Sequence, residues 1–422
     1  MVWGISAIMS MNLVDTFYVG QLGTQPLAAM GFTLPIVSIL LSLAFGVGIG
    51  TSSVIARAIG AQEHSLVKDY TTQALFIALS IAIIFAITGY QAMDHIFTWL
   101  GAPDSLLPLI HQFMDIWFLG SFMVVVPMVG NSAIRAAGNT KLPSIVMISV
   151  AIANIILDPI LIFGLFGAPR MELAGAALST LISYSIALIM GLYFLGFKLR
   201  FLSWQSCYRN VIHSWRTILH IGIPATGTNL IAPLSVAIAT WLVAKFSPEA
   251  VAGFGVATRI ESMFLVVIMA LSSTMGPFVG QNWGAEKKQR VAHALNLSFR
   301  FVAAWGLSVA VLLWLFAAPI VSLFSNDAIV VTSAIHYLYI VPITYLFLGI
   351  IMSTSSAANG IGNPKPSLLM SFLRLLVLYV PLAWSLAYLL ELSGIYLATA
   401  LSNTIVGIGA LIWSRKLTTL ST

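Results

Sequence analysis

The stretch GAQEHS at residues 60–65 returns as GAEKKQ at residues 284–289, and this interval of 224 residues decides how the chain is built. The same interval lays LAAMG (27–31) on VAGFG (251–255) and GNTK (138–141) on GNPK (362–365). Three matches at one offset, with no gaps, mark an internal duplication.

Composition says what is duplicated. Of 422 residues, 59% are hydrophobic and 8% charged, with a mean hydropathy of +0.99. A soluble domain carries about a quarter charged residues, so this is a polytopic membrane protein. The lipid bilayer is its main partner, and the net charge of +6 is read through the positive-inside rule rather than as a nucleic-acid surface. Cys207 is the only cysteine, which excludes an internal disulfide and a cysteine metal cluster.

Apolar runs of spanning length recur twelve times, at 1–19, 27–56, 71–99, 107–133, 143–165, 173–197, 215–244, 250–280, 292–318, 330–357, 366–390 and 394–413. Prolines inside them, among them Pro159 and Pro342, predict kinks. The loops after even-numbered spans, with the C-terminal tail, hold 14 Lys and Arg residues; the other loops hold only Arg170 and Lys245. Both termini are therefore expected in the cytoplasm. Six spans separate the copies, so both copies have the same orientation. The expected fold is all-α, with twelve transmembrane helices in two pseudo-symmetric six-helix bundles. Residues 1–197 form the N-lobe, 198–214 a basic cytoplasmic linker, 215–414 the C-lobe and 415–422 a cytoplasmic tail. By the repeat, span 7 begins about nine residues before the position that would match Met1, so the start of helix 1 is expected to be missing.

Charges inside the spans point to function. An ionised Asp at a bilayer centre costs roughly 2.5–3.5 kcal/mol, so such residues mark ion or substrate paths by default. Asp15, in MNLVDTFYVGQLG (11–23), lies roughly 7 Å below the outer end of span 1. Asp158, in NIILDPIL (154–161), lies roughly 10 Å below the outer end of span 5. Asn154 is one turn before Asp158 and shares its face. Asp115 in span 4 is expected either to join this acidic cluster or to pair with His111 one turn away. Two carboxyls sharing one low-dielectric site titrate as a coupled pair. With Asn154 and the hydroxyl of Thr180, their oxygens are also a donor set for Na⁺. The alternative for each acid is a structural pair with a helix partner.

The repeat does not duplicate these acids: Asp15 falls on Ala239 and Asp158 on Leu382. The C-lobe instead carries Arg259, Glu261 and Arg374. Glu261 is expected to bind a cationic ligand or to hold the C-lobe through a partner helix, and Arg374 to snorkel to the cytoplasm or pair internally. Sixteen Met and 24 Phe supply adaptable apolar surface for a promiscuous cavity. No phosphate-binding Walker loop, HExxH, GxSxG or dinucleotide loop occurs in the sequence, and no enzymatic chemistry or bound cofactor is expected.

VDTFYVGQLG with PLAAMG, RAAGNTKLP, NIILDPILIFG and VGQNWGAEKKQRV, in this order along the chain, resemble the MATE (multidrug and toxic compound extrusion) family, in its prokaryotic DinF-like branch. The resemblance covers essentially the whole chain. It implies two six-helix bundles around a central cleft, and drug export by cation antiport at a bacterial inner membrane. Asp15 matches the family's essential helix 1 aspartate, Asp158 its helix 5 partner, Asn154 the helix 5 asparagine and Thr180 the helix 6 hydroxyl. Asn131 matches a helix 4 asparagine near the pocket, and Phe113 stands where members often carry a tyrosine. The resulting expectation is a monomeric secondary exporter of small cationic or amphipathic drugs. H⁺ (or Na⁺) acts at the N-lobe aspartates, and their protonation lets helix 1 rearrange. A lipid-linked precursor flippase is the alternative, disfavoured by the scarcity of intramembrane arginines.

Overall fold

The chain is described here from a computed structural model covering residues 1–419, in which no strand occurs among the described residues. Six helices make the first half: α1 (Val2–Gln21), α2 (Thr24–Gly60), α3 (His64–Trp99), α4 (Leu107–Ala136), α5 (Lys141–Phe163) and α6 (Glu172–Tyr193). The second half holds α7 (Val211–Ala244), α8 (Pro248–Gly284), α9 (Lys288–Ser322), α10 (Ala328–Ile340), α11 (Tyr345–Gly360), α12 (Lys365–Phe372) and α13 (Val380–Thr419). Eleven helical runs among the described residues are long and apolar enough to cross a membrane. The longest is two crossings, because Glu391 adopts φ 51° and ψ −135° and breaks α13 between the eleventh and twelfth expected spans. At Pro342 the tenth span kinks: a 3₁₀ turn, Pro342–Thr344, separates α10 from α11. Helix α13 continues through Arg415 and Lys416 to Thr419, taking in part of the expected tail; residues 420–422 lie outside the described residues.

The chain divides into two compact units. The first contains residues 1–59 and 63–226; the second contains 60–62 and the chain from Gly227 onward. The division falls within α7. The segment expected as a linker is bound to the first unit by two buried residues of α3. Asp69 accepts hydrogen bonds from Ser206 Oγ at 2.6 Å and Asn210 Nδ2 at 3.2 Å. Gln73 donates to the Ser206 carbonyl at 2.6 Å and accepts from Trp215 Nε1 at 2.8 Å.

Within the first unit, periodicity explains how α1, α5 and α6 meet. Met11, Asp15 and Val19 form the inward stripe of α1, every fourth residue, while Leu13 and Phe17 between them are exposed. On α5 the stripe is Val146, Val150, Asn154, Asp158 and Ile162. On α6 it is Gly175, Ser179, Ser183, Ala187 and Gly191, all small. Small residues let helix backbones approach in lipid, where apolar contact alone gives no preference for a partner. At Gly175 a Cβ would lie 2.6 Å from the Leu161 carbonyl oxygen, so only glycine admits α5 here. Gly164, at φ 74°, ends α5 in the left-handed conformation that favours glycine.

Candidate functional site

Three stripes carry the polar residues to one place. Asp15 lies six residues before the C-terminal end of α1 and Asp158 five before that of α5, roughly 9 and 8 Å along the helix axis. The two carboxyls thus stand at like distances from the C-terminal ends of their helices. Below them, Met11, Val150, Ala151 and Ala187 close an apolar floor, with Tyr184 packed at its edge. Asp158 and Asn154 are fully buried, and Asp15 is 9% exposed.

The carboxyls of Asp15 and Asp158 are neighbours, close enough to act on each other electrostatically. Ionised carboxylates only accept, so a hydrogen bond between the two would need a proton on one of them. Asp158 Oδ1 also accepts from Asn154 Nδ2 at 3.3 Å and from the Ser179 hydroxyl. No donor reaches Asp15 Oδ1, Asp158 Oδ2 or Asn154 Oδ1 among the described residues. No Lys or Arg forms a salt bridge with either carboxyl among the described residues. The pair is therefore a buried, acceptor-rich site whose own helices supply no cation. Its chemistry is to hold a proton, or a hard cation ligated by the three open oxygens.

Sequence reading named Thr180 as the hydroxyl on α6, and the structure corrects this by one residue. Thr180 donates to the Ala176 carbonyl of its own helix at 3.0 Å, whereas Ser179 faces Asp158. One residue is about 100° of helical rotation, enough to move the hydroxyl off the α5 face. The small-residue stripe would have found Ser179, since it occupies every fourth position from Gly175. Tyr184 was also missed; it lies within electrostatic reach of Asp15.

The remaining candidates are placed elsewhere. Asp115 does not join the carboxyl pair. It lies 3.4 Å from His111 Nδ1, while His111 Nε2 lies 2.8 Å from Asp94, forming an exposed outer cluster. Phe113 is a buried member of the main apolar core of the first half. Asn131 is buried on α4 with its Oδ1 lacking a partner, and no hydrogen bond joins it to the aspartates. Glu261, in the second unit, accepts from the Tyr337 hydroxyl at 2.7 Å, with Tyr345 beside it. Arg374 pairs internally, donating from Nη1 to Asn403 Oδ1 at 3.0 Å.

Known proteins resemble this arrangement over its whole length. A FAD transporter of Shewanella oneidensis is 38% identical over 415 residues, covering 98% of this chain and 92% of the relative. The probable multidrug resistance protein YoeA of Bacillus subtilis is 24% identical, covering 96% of this chain and 90% of the relative. Among solved structures, the Vibrio cholerae MATE transporter VcmN in the bent form superposes with a TM-score of 0.94 at 31% identity, covering all of this chain and 95% of that one. The family model described as MatE matches twice, at residues 3–160 and 224–385, once on each copy of the repeat. On this evidence the chain belongs to the MatE family of membrane transporters.

Proposed function

We propose that the protein is a proton-coupled exporter of flavin adenine dinucleotide, resident as a monomer in a bacterial inner membrane with both termini in the cytoplasm. The buried carboxyl pair, Asp15 against Asp158, is the observation that carries the coupling. With one proton shared, the contact holds α1 against α5. With both groups ionised, two like charges share a site that water does not reach, and the helices must separate or repack. Proton binding from outside therefore favours one packing of α1 and proton loss the other, which is what exchange against a substrate requires. A proton needs only the two neighbouring carboxyls, whereas Na⁺ would have to sit between them with Asn154 Oδ1 as a further ligand.

The substrate rests on likeness: the relative at 38% identity is a flavin dinucleotide transporter, whereas the multidrug relatives stand near 24%. Export of cationic, amphipathic drugs is the second reading, favoured by the acidic site and by those relatives. Purified protein in liposomes, with an imposed pH or Na⁺ gradient, tests both. FAD flux driven by the pH gradient and lost in Asp15→Asn supports the first reading. Flux of a cationic dye without FAD flux establishes the second, and flux that needs Na⁺ moves the coupling ion.

A further inference from the structure

The second unit holds buried charge that the proton site does not use. Arg374 lies nine residues into the eleventh span, roughly 14 Å from its start at Lys365, and Glu261 lies thirteen residues, roughly 20 Å, into α8. Both are mid-span and partly accessible. A charge at that depth does not face lipid without large cost, so the open side of each faces water or a ligand. Arg374 belongs to a π-helical segment, Leu373–Tyr379, between α12 and α13. Such interruptions concentrate at functional sites.

The hydrogen bonds around Arg374 run in one direction. Thr344 donates to the Val341 carbonyl at 2.7 Å, and its oxygen accepts from Asn403 Nδ2 at 3.1 Å. That fixes the amide so that Asn403 Oδ1 faces Arg374 Nη1. Asn403 thus takes one of the five guanidinium donors. Arg374 Nε has no acceptor among the described residues. Glu261 attracts the guanidinium, yet no ion pair closes between them within 4 Å among the described residues. Tyr337 occupies that carboxylate instead. Among the described residues, Arg374 thus keeps a donor without an acceptor, whereas Asp15 and Asp158 keep oxygens without donors.

We propose that Arg374, oriented by Asn403, is an oxyanion site that takes a phosphate group of the exported ligand, with Glu261 as its counter-charge when the site is empty. The identity of that ligand rests on the flavin dinucleotide reading; the oxyanion chemistry rests on the residues alone. A planar guanidinium with free N–H groups matches phosphate oxygens in geometry and charge.

The test uses the full chain in lipid nanodiscs and three flavins carrying none, one and two phosphates: riboflavin, FMN and FAD. Flavin fluorescence reports binding, and inorganic pyrophosphate serves as competitor. FMN and FAD are expected to bind about tenfold or more tighter than riboflavin, and pyrophosphate to displace them. Arg374→Gln removes this increment while riboflavin affinity stays within about twofold, and Arg374→Lys retains part of it. Arg374→Gln combined with Glu261→Gln preserves charge balance should the single variant fold poorly, and it loses the increment too. An increment that survives in these variants, or a wild type that binds no phosphate-bearing probe, overturns the site. FAD flux in liposomes, measured on the same proteins, separates the two proposals. Arg374-dependent pyrophosphate binding without FAD flux defeats the flavin reading and leaves the oxyanion site. FAD flux and phosphate-dependent binding unchanged by both variants do the reverse.

Discussion

The two halves of this molecule descend from one duplicated sequence, yet their buried polar groups have opposite needs. In the first half, Asp15, Asp158 and Asn154 leave oxygens without donors. In the second, the Nε of Arg374 lacks an acceptor among the described residues. The repeat fixed helix lengths, orientation and loop positions in both copies, while the residues at corresponding depths diverged to Ala239 and Leu382. Duplication in a transporter thus supplies two scaffolds, and the intramembrane charges decide what each scaffold holds. Apolar packing barely distinguishes them: each half has its own extended core.

The strongest way to break this contrast is to remove the two carboxyls proposed to bind the proton. Asp15→Asn and Asp158→Asn keep shape and size, so folding and membrane levels are expected to stay at wild type while gradient-driven flux falls to that of empty liposomes. Full flux in either variant would end the coupling role of the pair. Next in size is Gly175→Val, which forces a branched side chain into the Leu161 backbone. Overpacking of this kind costs about 1–3 kcal/mol, and a fall in melting temperature with flux lost in parallel is expected. An unchanged melting curve would show that α5 and α6 do not depend on that approach.

A finer test sets two neighbouring hydroxyls against each other. Ser179→Ala removes a donor to a buried carboxyl and is expected to reduce flux about tenfold. Thr180→Ala removes only a bond to its own helix and is expected to leave flux within about twofold. The reverse order would return the site to the first sequence reading. The smallest effect is expected in the second half: Glu261→Gln should leave the number of protons moved per substrate unchanged, measured as pH-electrode against flavin signals. A lower ratio would mean that both halves carry protons and that the contrast between them is false.

Much of this was legible before any coordinates. Hydropathy and the 224-residue interval located the crossings, because spanning length and loop charge are set by the bilayer itself. Asp15, Asp158 and Asn154 were legible because ionisable and amide groups at one depth have few structural explanations. What failed was angular or tertiary. Thr180 and Ser179 differ by one residue, so only the helix face, marked by the small-residue stripe, tells them apart. Asp115 was assigned alternatives since depth says nothing about azimuth; pairing with His111 and Asp94 took it outward. Asp69 and Gln73 were overlooked because their partners lie more than 130 residues away in the chain.

Asp15 also carries a consequence for how the protein is made. Of the described spans, α1 is the least apolar, and it carries a carboxyl whose partners are all on α5 and α6. Those helices leave the ribosome more than a hundred residues later, which at ordinary synthesis rates is roughly ten to thirty seconds. Through that interval α1 is a poorly retained segment at the membrane surface or in the insertion machinery, and its settlement awaits the arrival of α5. A carboxyl matched to partners made so much later is a liability during assembly, and the late docking of α5 resolves it.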